Sequence, residues 1–235
     1  DSHARFACYT QDGKGIVTVN RYGIIKIWND RGEIVKSHTS NCGEVYSAHI
    51  SPDGEKIVLG SNVITEINLL TGETVKIYRG HSYKVNSVQY SKDGMKILSG
   101  GSYGELKEWD VTSGGFIRNF EKKTEEITSV SYSPDGRMIA SGSKDGIIQE
   151  YDSETGVSLK TCRSSGYHII TFSYSPDGSK IASVSKNKII EEWDMESGAL
   201  LKTFHGHLWD VNAILYSSDG TRMFSASSDR TVKEW

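Results

Sequence analysis

The sequence predicts an all-β chain built from six copies of one antiparallel unit. A turn motif returns along the whole chain, and an aromatic residue follows that turn at a nearly constant distance. The segments between the turns are short, alternate apolar with polar residues and are bounded by Gly, Asp, Asn and Ser, which indicates strands. The length of 235 residues is sufficient for one large domain with a substantial core, so a second domain is not required.

The turn motif reads TQDG, SPDG, SKDG, SPDG, SPDG and SSDG, with its aspartates at Asp12, Asp53, Asp93, Asp135, Asp177 and Asp219. An aromatic residue stands sixteen positions after the aspartate in five units, at Trp28, Trp109, Tyr151, Trp193 and Trp235. The second unit reaches Ile67 after only fourteen positions. We therefore expect the second unit to be the least regular of the six.

The fourth unit displays the strands of one copy. ITSVSY alternates into SPDG, RMIASGS precedes the KDG turn, IIQEYD forms a third strand, and VSLKTC after SETG forms a fourth. Asp-Gly turns suit antiparallel neighbours, because Asp bonds to its own backbone and Gly accepts a positive φ. In this register the units occupy approximately residues 1-38, 39-80, 81-122, 123-164, 165-206 and 207-235, and the last is incomplete.

Four-stranded units of this period, with a strand ending in Trp-Asp at Trp109 and Trp193, resemble the WD-repeat (WD40) family of β-propellers. The resemblance covers the whole chain and implies a β-propeller of four-stranded antiparallel blades. Six units supply three inner strands each but only five outer strands, and residues 1-4 are too few to supply another. We therefore expect a segment of a seven-bladed ring, with a six-bladed ring as the alternative.

The resemblance also implies a structural role for four residues of each blade, a His, a Ser or Thr, an Asp and a Trp joined by hydrogen bonds. The sixth unit carries the full set, His207, Ser225, Asp229 and Trp235. Other units keep parts of it: His81, Ser99 and Trp109 in the third, Ser141 and Asp145 in the fourth, and Ser183 and Trp193 in the fifth. Tyr103 replaces the Asp of the third unit, so we expect individual hydrogen bonds to be lost without loss of the fold.

The same residue types could be interpreted as catalytic or metal-binding groups. A Ser-His-Asp triad needs one activated serine beside an oxyanion hole, whereas these residues recur at one register and the chain has no GxSxG motif. The repeated aspartates could be carboxylate pairs or calcium ligands, but each begins an Asp-Gly turn. His205 and His207 could share a zinc ion, yet no nearby Cys or third His completes a set. We predict no enzyme activity, no metal and no cofactor.

Composition limits the class of partner. The formal net charge of -3 leaves no broad basic field for nucleic acid or an anionic membrane, and no apolar run approaches the roughly 18 residues of a membrane span. Cys8, Cys42 and Cys162 are odd in number and widely spaced, which favours free thiols in a reducing compartment. We predict an intracellular, cytoplasmic protein that binds a protein or peptide, with no nucleic acid, membrane or small-molecule substrate.

In the WD-repeat family, partners dock around the central channel, where the loops before the innermost strands meet the turns after the second strands. Carried over by register, the expected aromatic anchors are Tyr83, Tyr167 and Trp209. The expected contacts for acidic groups are Lys144 and Lys186. The other candidates are Arg5, Arg21, Tyr46, Lys84, His168 and Asp210. The aromatics could instead pack on a neighbouring loop. The sequence thus predicts a protein-interaction scaffold, with a spacer between other domains or an enzyme with a channel site as alternatives.

Overall fold

The structure, a computed structural model, describes residues 4–121, 125–166 and 168–235. These residues form 23 β-strands in six antiparallel sheets, and this part of the chain contains one 3-10 turn, Ser102–Gly104, and no α-helix. Five sheets have four strands and the sixth has three. The predicted fold class, all-β with four-stranded antiparallel blades, is confirmed. The chain divides into two compact units, Asp1–Asn119 and Phe120–Trp235, each with three sheets.

In every sheet of the first unit, strands that follow one another in the chain are hydrogen-bonded neighbours. The first sheet contains β1 (Ala4–Tyr9), β2 (Ile16–Asn20), β3 (Ile24–Trp28) and β4 (Ile34–Thr39). The second contains β5 (Ser47–Ile50), β6 (Lys56–Gly60), β7 (Ile64–Asn68) and β8 (Thr74–Tyr78). The third contains β9 (Val85–Tyr90), β10 (Lys96–Gly101), β11 (Leu106–Asp110) and β12 (Phe116–Asn119).

The sheets of the second unit follow the same order. The fourth sheet contains β13 (Ile127–Tyr132), β14 (Met138–Ser143), β15 (Ile147–Asp152) and β16 (Ser158–Arg163). The fifth contains β17 (Ile169–Tyr174), β18 (Lys180–Ser185), β19 (Ile190–Asp194) and β20 (Leu200–Phe204). The sixth contains β21 (Val211–Tyr216), β22 (Met223–Ser227) and β23 (Val232–Glu234).

Within each unit, consecutive sheets pack face to face around apolar layers. Strands covered on both faces have nearly continuous apolar residues, as in β6, where every residue after Lys56 is buried. The outer strand β8 instead has exposed residues for most of its length. The layers between sheets include Val17 with Ile57, Val58 with Val85, Ile148 with Phe172, and Val184 with Val211.

The repeated aspartates close the turns between the first and second strands. In the second sheet, the Ser51 hydroxyl donates to the Asp53 carboxylate at 2.5 Å, and the backbone N–H of Glu55 donates to the same oxygen at 3.0 Å. Gly54 completes the turn with a φ of 74°. The hydroxyl-to-aspartate bond recurs in the other five turns, at Asp12, Asp93, Asp135, Asp177 and Asp219.

A Tyr–Glu hydrogen bond joins consecutive sheets at three places within the units. The Tyr90 hydroxyl, at the end of β9, donates at 2.8 Å to Glu66, which lies on β7 and is fully buried. Corresponding bonds run from Tyr174 to Glu150 at 3.1 Å and from Tyr216 to Glu192 at 3.0 Å. Burial is the main cause that raises the pKa of each tyrosine, so each remains a neutral donor. Between the first two sheets, Ile27 and Ile50 take the places of Glu and Tyr and pack against the apolar core.

The prediction that the second unit would be the least regular is wrong. Strands β5 and β6 pair without a register shift, whereas the first two strands of each of the other five sheets pair with one. The two missing residues shorten the turn between β6 and β7, which is closed by Ser61, whose hydroxyl donates to the Val63 carbonyl at 2.8 Å. Local hydrogen bonds between Ser61 and Val63 therefore compensate for the two missing residues.

All three cysteines are free thiols, and burial raises the pKa of Cys8 and of Cys162 to about 11. The described residues contain no helix that is long and apolar enough to cross a bilayer.

Candidate functional site

The candidate residues lie at one end of each sheet, where a loop and a turn are joined by a backbone hydrogen bond. Each bond runs from an N–H of the turn after the second strand to a carbonyl of the loop before the first strand, in four sheets: Ser102 to Lys84 at 2.9 Å, Lys144 to Glu126 at 3.0 Å, Lys186 to His168 at 3.1 Å and Ser228 to Asp210 at 2.9 Å. The two chain segments that the sequence assigned to the binding face are therefore held against each other, and the positions of their side chains follow from the backbone.

In the sixth sheet, four side chains form one chain of hydrogen bonds beneath this end. His207 contacts Asp229 through Nδ1 at 2.8 Å and Ser225 through Nε2 at 2.7 Å, and the Trp235 indole donates to the same serine at 2.9 Å. The Asp229 carboxylate also accepts the backbone N–H of Leu208 at 3.0 Å. This chain therefore ties the loop before β21 to the sheet.

The third sheet contains a carboxylate that the register did not identify. His81 contacts Ser99 at 2.7 Å, and Trp109 donates to that serine at 2.8 Å. Glu105, two positions after Tyr103, contacts His81 at 3.1 Å and accepts the backbone N–H of Ser82 at 2.9 Å. The register places Tyr103 at the Asp position of this sheet, and the longer Glu105 side chain reaches the same histidine from two positions later.

Burial lowers the pKa of His81 to about 4, and the neighbouring Glu105 opposes that shift only in part. The imidazole is therefore neutral at physiological pH and links two hydrogen-bond partners without carrying a charge.

The fourth and fifth sheets keep fewer of these contacts. Trp193 donates to Ser183 at 2.9 Å, whereas Asp145 accepts a hydrogen bond from the hydroxyl of Ser143 in its own turn. Ser141 lies beside Tyr151, whose pKa is raised to about 12 by burial and lowered in part by that serine. The polar residues of these sheets close turns and support aromatic rings.

In the first unit, four predicted residues and Glu44 meet at a surface that we call the cationic patch, defined as Arg5, Arg21, Glu44, Tyr46 and Lys84. One oxygen of Glu44 lies 3.5 Å from Arg5 and 3.2 Å from Arg21, and the Tyr46 hydroxyl donates to the other oxygen at 3.3 Å. Arg5 and Lys84 lie over the Tyr46 ring, at 5.9 and 5.0 Å from its centroid. The exposed rings of Tyr22, Tyr83 and Tyr103 border the patch.

In the second unit, Lys144, His168 and Lys186 lie near one another. Lys144 forms a 2.5 Å ion pair with Glu126, so its charge is already compensated. Burial, followed by the charges of Lys186 and Lys144, lowers the pKa of His168. His168 also has a φ of 75°, which is uncommon for a residue with a side chain. Of the two lysines that the sequence assigned to acidic groups, only Lys186 has no ion pair among the described residues.

The loop before β21 presents two large apolar side chains to solvent. Leu208 is 75% exposed and Trp209 is 64% exposed. Their backbone is nevertheless fixed, because Lys188 donates to the Leu208 carbonyl at 2.8 Å and Ser227 donates to the Trp209 carbonyl at 3.1 Å. Asp210 follows them and is exposed.

Sequence reasoning placed Trp209 and Tyr83 on this end but missed Leu208, Tyr22 and Tyr103. The available signal was an apolar residue in a loop that is otherwise polar. The third predicted anchor, Tyr167, lies outside the described residues. Among the residues that are described, no three His, Cys, Asp or Glu side chains are grouped so that they could hold a metal ion.

Comparison with protein families gives a match to the nucleolar protein 10-like, N-terminal domain over residues 2–235, nearly the whole chain. The chain belongs to this family. A nucleolar protein 10-like domain made of repeated four-stranded sheets agrees with the WD-repeat resemblance of the sequence, and that prediction is confirmed.

Two relatives are similar in sequence to parts of this nucleolar protein 10-like chain. The periodic tryptophan protein 2 homolog of Dictyostelium discoideum is 53% identical over 36 residues, which are 15% of this chain and 4% of that protein. Human WD repeat-containing protein 36 is 25% identical over 106 residues, which are 44% of this chain and 12% of that protein. The chain therefore spans only a small part of the length of either relative.

Proposed function

We propose that this domain is a protein-interaction module without catalytic activity, and that its partner binds at the loop-and-turn ends of the sheets. The loop that carries Leu208 and Trp209 is the main support. Exposed apolar side chains on a fixed backbone lose little conformational entropy on binding, and Trp is among the residue types that dominate binding energy at interfaces. A spacer between other domains would have no need of such a loop.

The description of the matched family supports an intracellular location and favours the nucleolus over the cytoplasm that the sequence analysis predicted. Three free cysteines fit either compartment, because both are reducing. We therefore propose that the partner is a nuclear protein, and nuclear extract is the material in which to search for it.

Capture from nuclear extract with the purified domain tests the proposal. The test variant is Leu208→Ala with Trp209→Ala, and the control is Leu200→Ala with Leu201→Ala, two adjacent exposed apolar residues on the outer strand β20. Some proteins should be captured by both the wild type and the control. We expect the captured amount of these proteins to be about tenfold or more lower with the loop variant, since one interface hot spot contributes about 2 kcal/mol or more. Unchanged capture by a loop variant with a native circular dichroism spectrum would contradict the proposal.

A further inference from the structure

The cationic patch has more positive than negative charge. Arg5, Arg21 and Lys84 carry three positive charges against the single carboxylate of Glu44, which leaves a local excess of two on a chain with a formal net charge of -3. The side chains of Arg5 and Arg21 are 41% and 48% exposed, so solvent and ligands reach both. A guanidinium has five N–H donors, and one shared carboxylate oxygen leaves most of them available.

Glu44 is bound weakly enough to be replaced. Its side chain is partly exposed, and exposed ion pairs contribute only about 0 to 1 kcal/mol, because water and salt screen them. A carboxylate from another molecule would meet the same two guanidinium groups and the Tyr46 hydroxyl. The structure of the patch is therefore that of a carboxylate site in which a side chain of the domain itself occupies the position of the ligand.

The rings around the patch favour acidic protein over single-stranded RNA. RNA bases need free aromatic faces on which to stack. Here cations already lie over the rings of Tyr46, Tyr22 and Tyr83, with distances to the ring centroids of 5.0 to 5.9 Å. Tyr83 and Tyr103 are inclined at 56° and do not form a parallel platform. The accessible groups are guanidinium and ammonium N–H groups and tyrosine hydroxyls, which suit carboxylates.

We propose that the cationic patch binds an acidic segment of a partner protein, whose carboxylates displace Glu44 from Arg5 and Arg21. The proposal rests on the proposed function, that the domain binds proteins, and adds the chemistry of the ligand. It uses residues of the first unit only, whereas the Leu208 and Trp209 loop belongs to the second, so the two proposals can fail separately.

Fluorescence anisotropy with the purified domain tests this inference. The probes are a labelled peptide of alternating Glu and Ser, the same peptide with Gln in place of Glu, and a single-stranded RNA of equal length. We expect the Glu peptide to bind about tenfold or more tightly than the Gln peptide, with an affinity that falls as salt is raised. Glu44→Gln should tighten the binding of the Glu peptide severalfold, because it removes the internal competitor.

The matched variants locate the binding. Arg21→Gln with Lys84→Gln removes two charges from the patch and leaves the backbone hydrogen bonds of both residues in place. Lys14→Gln with Arg31→Gln removes two charges from exposed turns at the opposite end of the first sheet. We expect the first pair to weaken binding of the Glu peptide about tenfold and the second to change it less than twofold.

Equal binding of the Gln peptide, equal loss in both charge variants, or weaker binding with Glu44→Gln would overturn the inference. Tighter binding of RNA than of the Glu peptide would overturn it in favour of a nucleic-acid surface. If the Arg21 and Lys84 variant does not fold, the Glu44→Gln variant and the Gln peptide still decide the question. If the domain does not bind the peptide but still captures proteins from nuclear extract in a way that depends on Trp209, this inference fails and the proposed function stands.

Discussion

Replacing Tyr90 with Phe tests whether the buried Tyr–Glu bond holds consecutive sheets together. The change removes only a hydroxyl, which donates at 2.8 Å to the fully buried Glu66. Losing a hydrogen bond to a charged group costs about 1.5 to 3 kcal/mol, and the lower end applies because Tyr78 at 3.3 Å and Lys56 at 3.8 Å still contact the carboxylate. For a chain of this length we expect a Tm lower by about 3 to 6 °C.

Tyr9→Phe is the matched control, because Tyr9 occupies the same position of the first repeat but is 72% exposed. We expect that variant to change the free energy of unfolding by less than about 0.5 kcal/mol. Urea unfolding of the wild type, both variants, Glu66→Gln and the double variant at Tyr90 and Glu66 gives the coupling energy between the two side chains. Equal effects of Tyr9→Phe and Tyr90→Phe, or a coupling energy near zero, would refute the reasoning.

Two further predictions concern the turns. Hydrogen bonds from Ser175, and then from Ser179, lower the pKa of Asp177 to about 2. The stabilising effect of the ionised Asp177 carboxylate is therefore complete above pH 4 and is lost as the pH falls towards 2. The urea midpoint of Asp177→Asn should thus decline less on acidification than the urea midpoint of the wild type. Parallel declines would contradict this prediction. Gly23 and Gly32 have φ values of 75° and 76°, but a Cβ on Gly23 would lie 2.1 Å from the Ser40 hydroxyl, whereas one on Gly32 would meet no atom within 4 Å. Gly23→Ala should cost more than the roughly 1 kcal/mol expected for Gly32→Ala, and equal costs in denaturant unfolding would contradict the role of the contact.

The repeat was sufficient to predict the sheets, because turn residues and alternating strands are local properties of the sequence. It was not sufficient to predict which side chains meet. Glu105 replaces the missing Asp from a position two residues later, and a register comparison cannot account for the greater reach of a longer side chain. The shortened turn between β6 and β7 indicated irregularity, yet Ser61 closes it through hydrogen bonds with Val63.

The Tyr–Glu bonds were visible only as a spacing. Glu stands two residues before the end of the third strand, and Tyr follows it 24 positions later. The first two repeats have Ile27 and Ile50 at these places, so both partners are replaced together. A matched substitution of this kind within one chain is the signal that predicts a contact without an alignment.

The hydrogen-bonded side chains beneath the loops also bear on binding. Asp229 accepts the N–H of Leu208, which follows His207, and Glu105 accepts the N–H of Ser82, which follows His81. In both sheets the next residue is an exposed aromatic, Trp209 or Tyr83. The carboxylate that bonds to the histidine therefore also fixes the backbone that carries the proposed anchor. A residue set that the family pattern assigns to structure thus determines how rigidly the aromatic side chain is presented, and that rigidity is what makes an exposed side chain effective in binding.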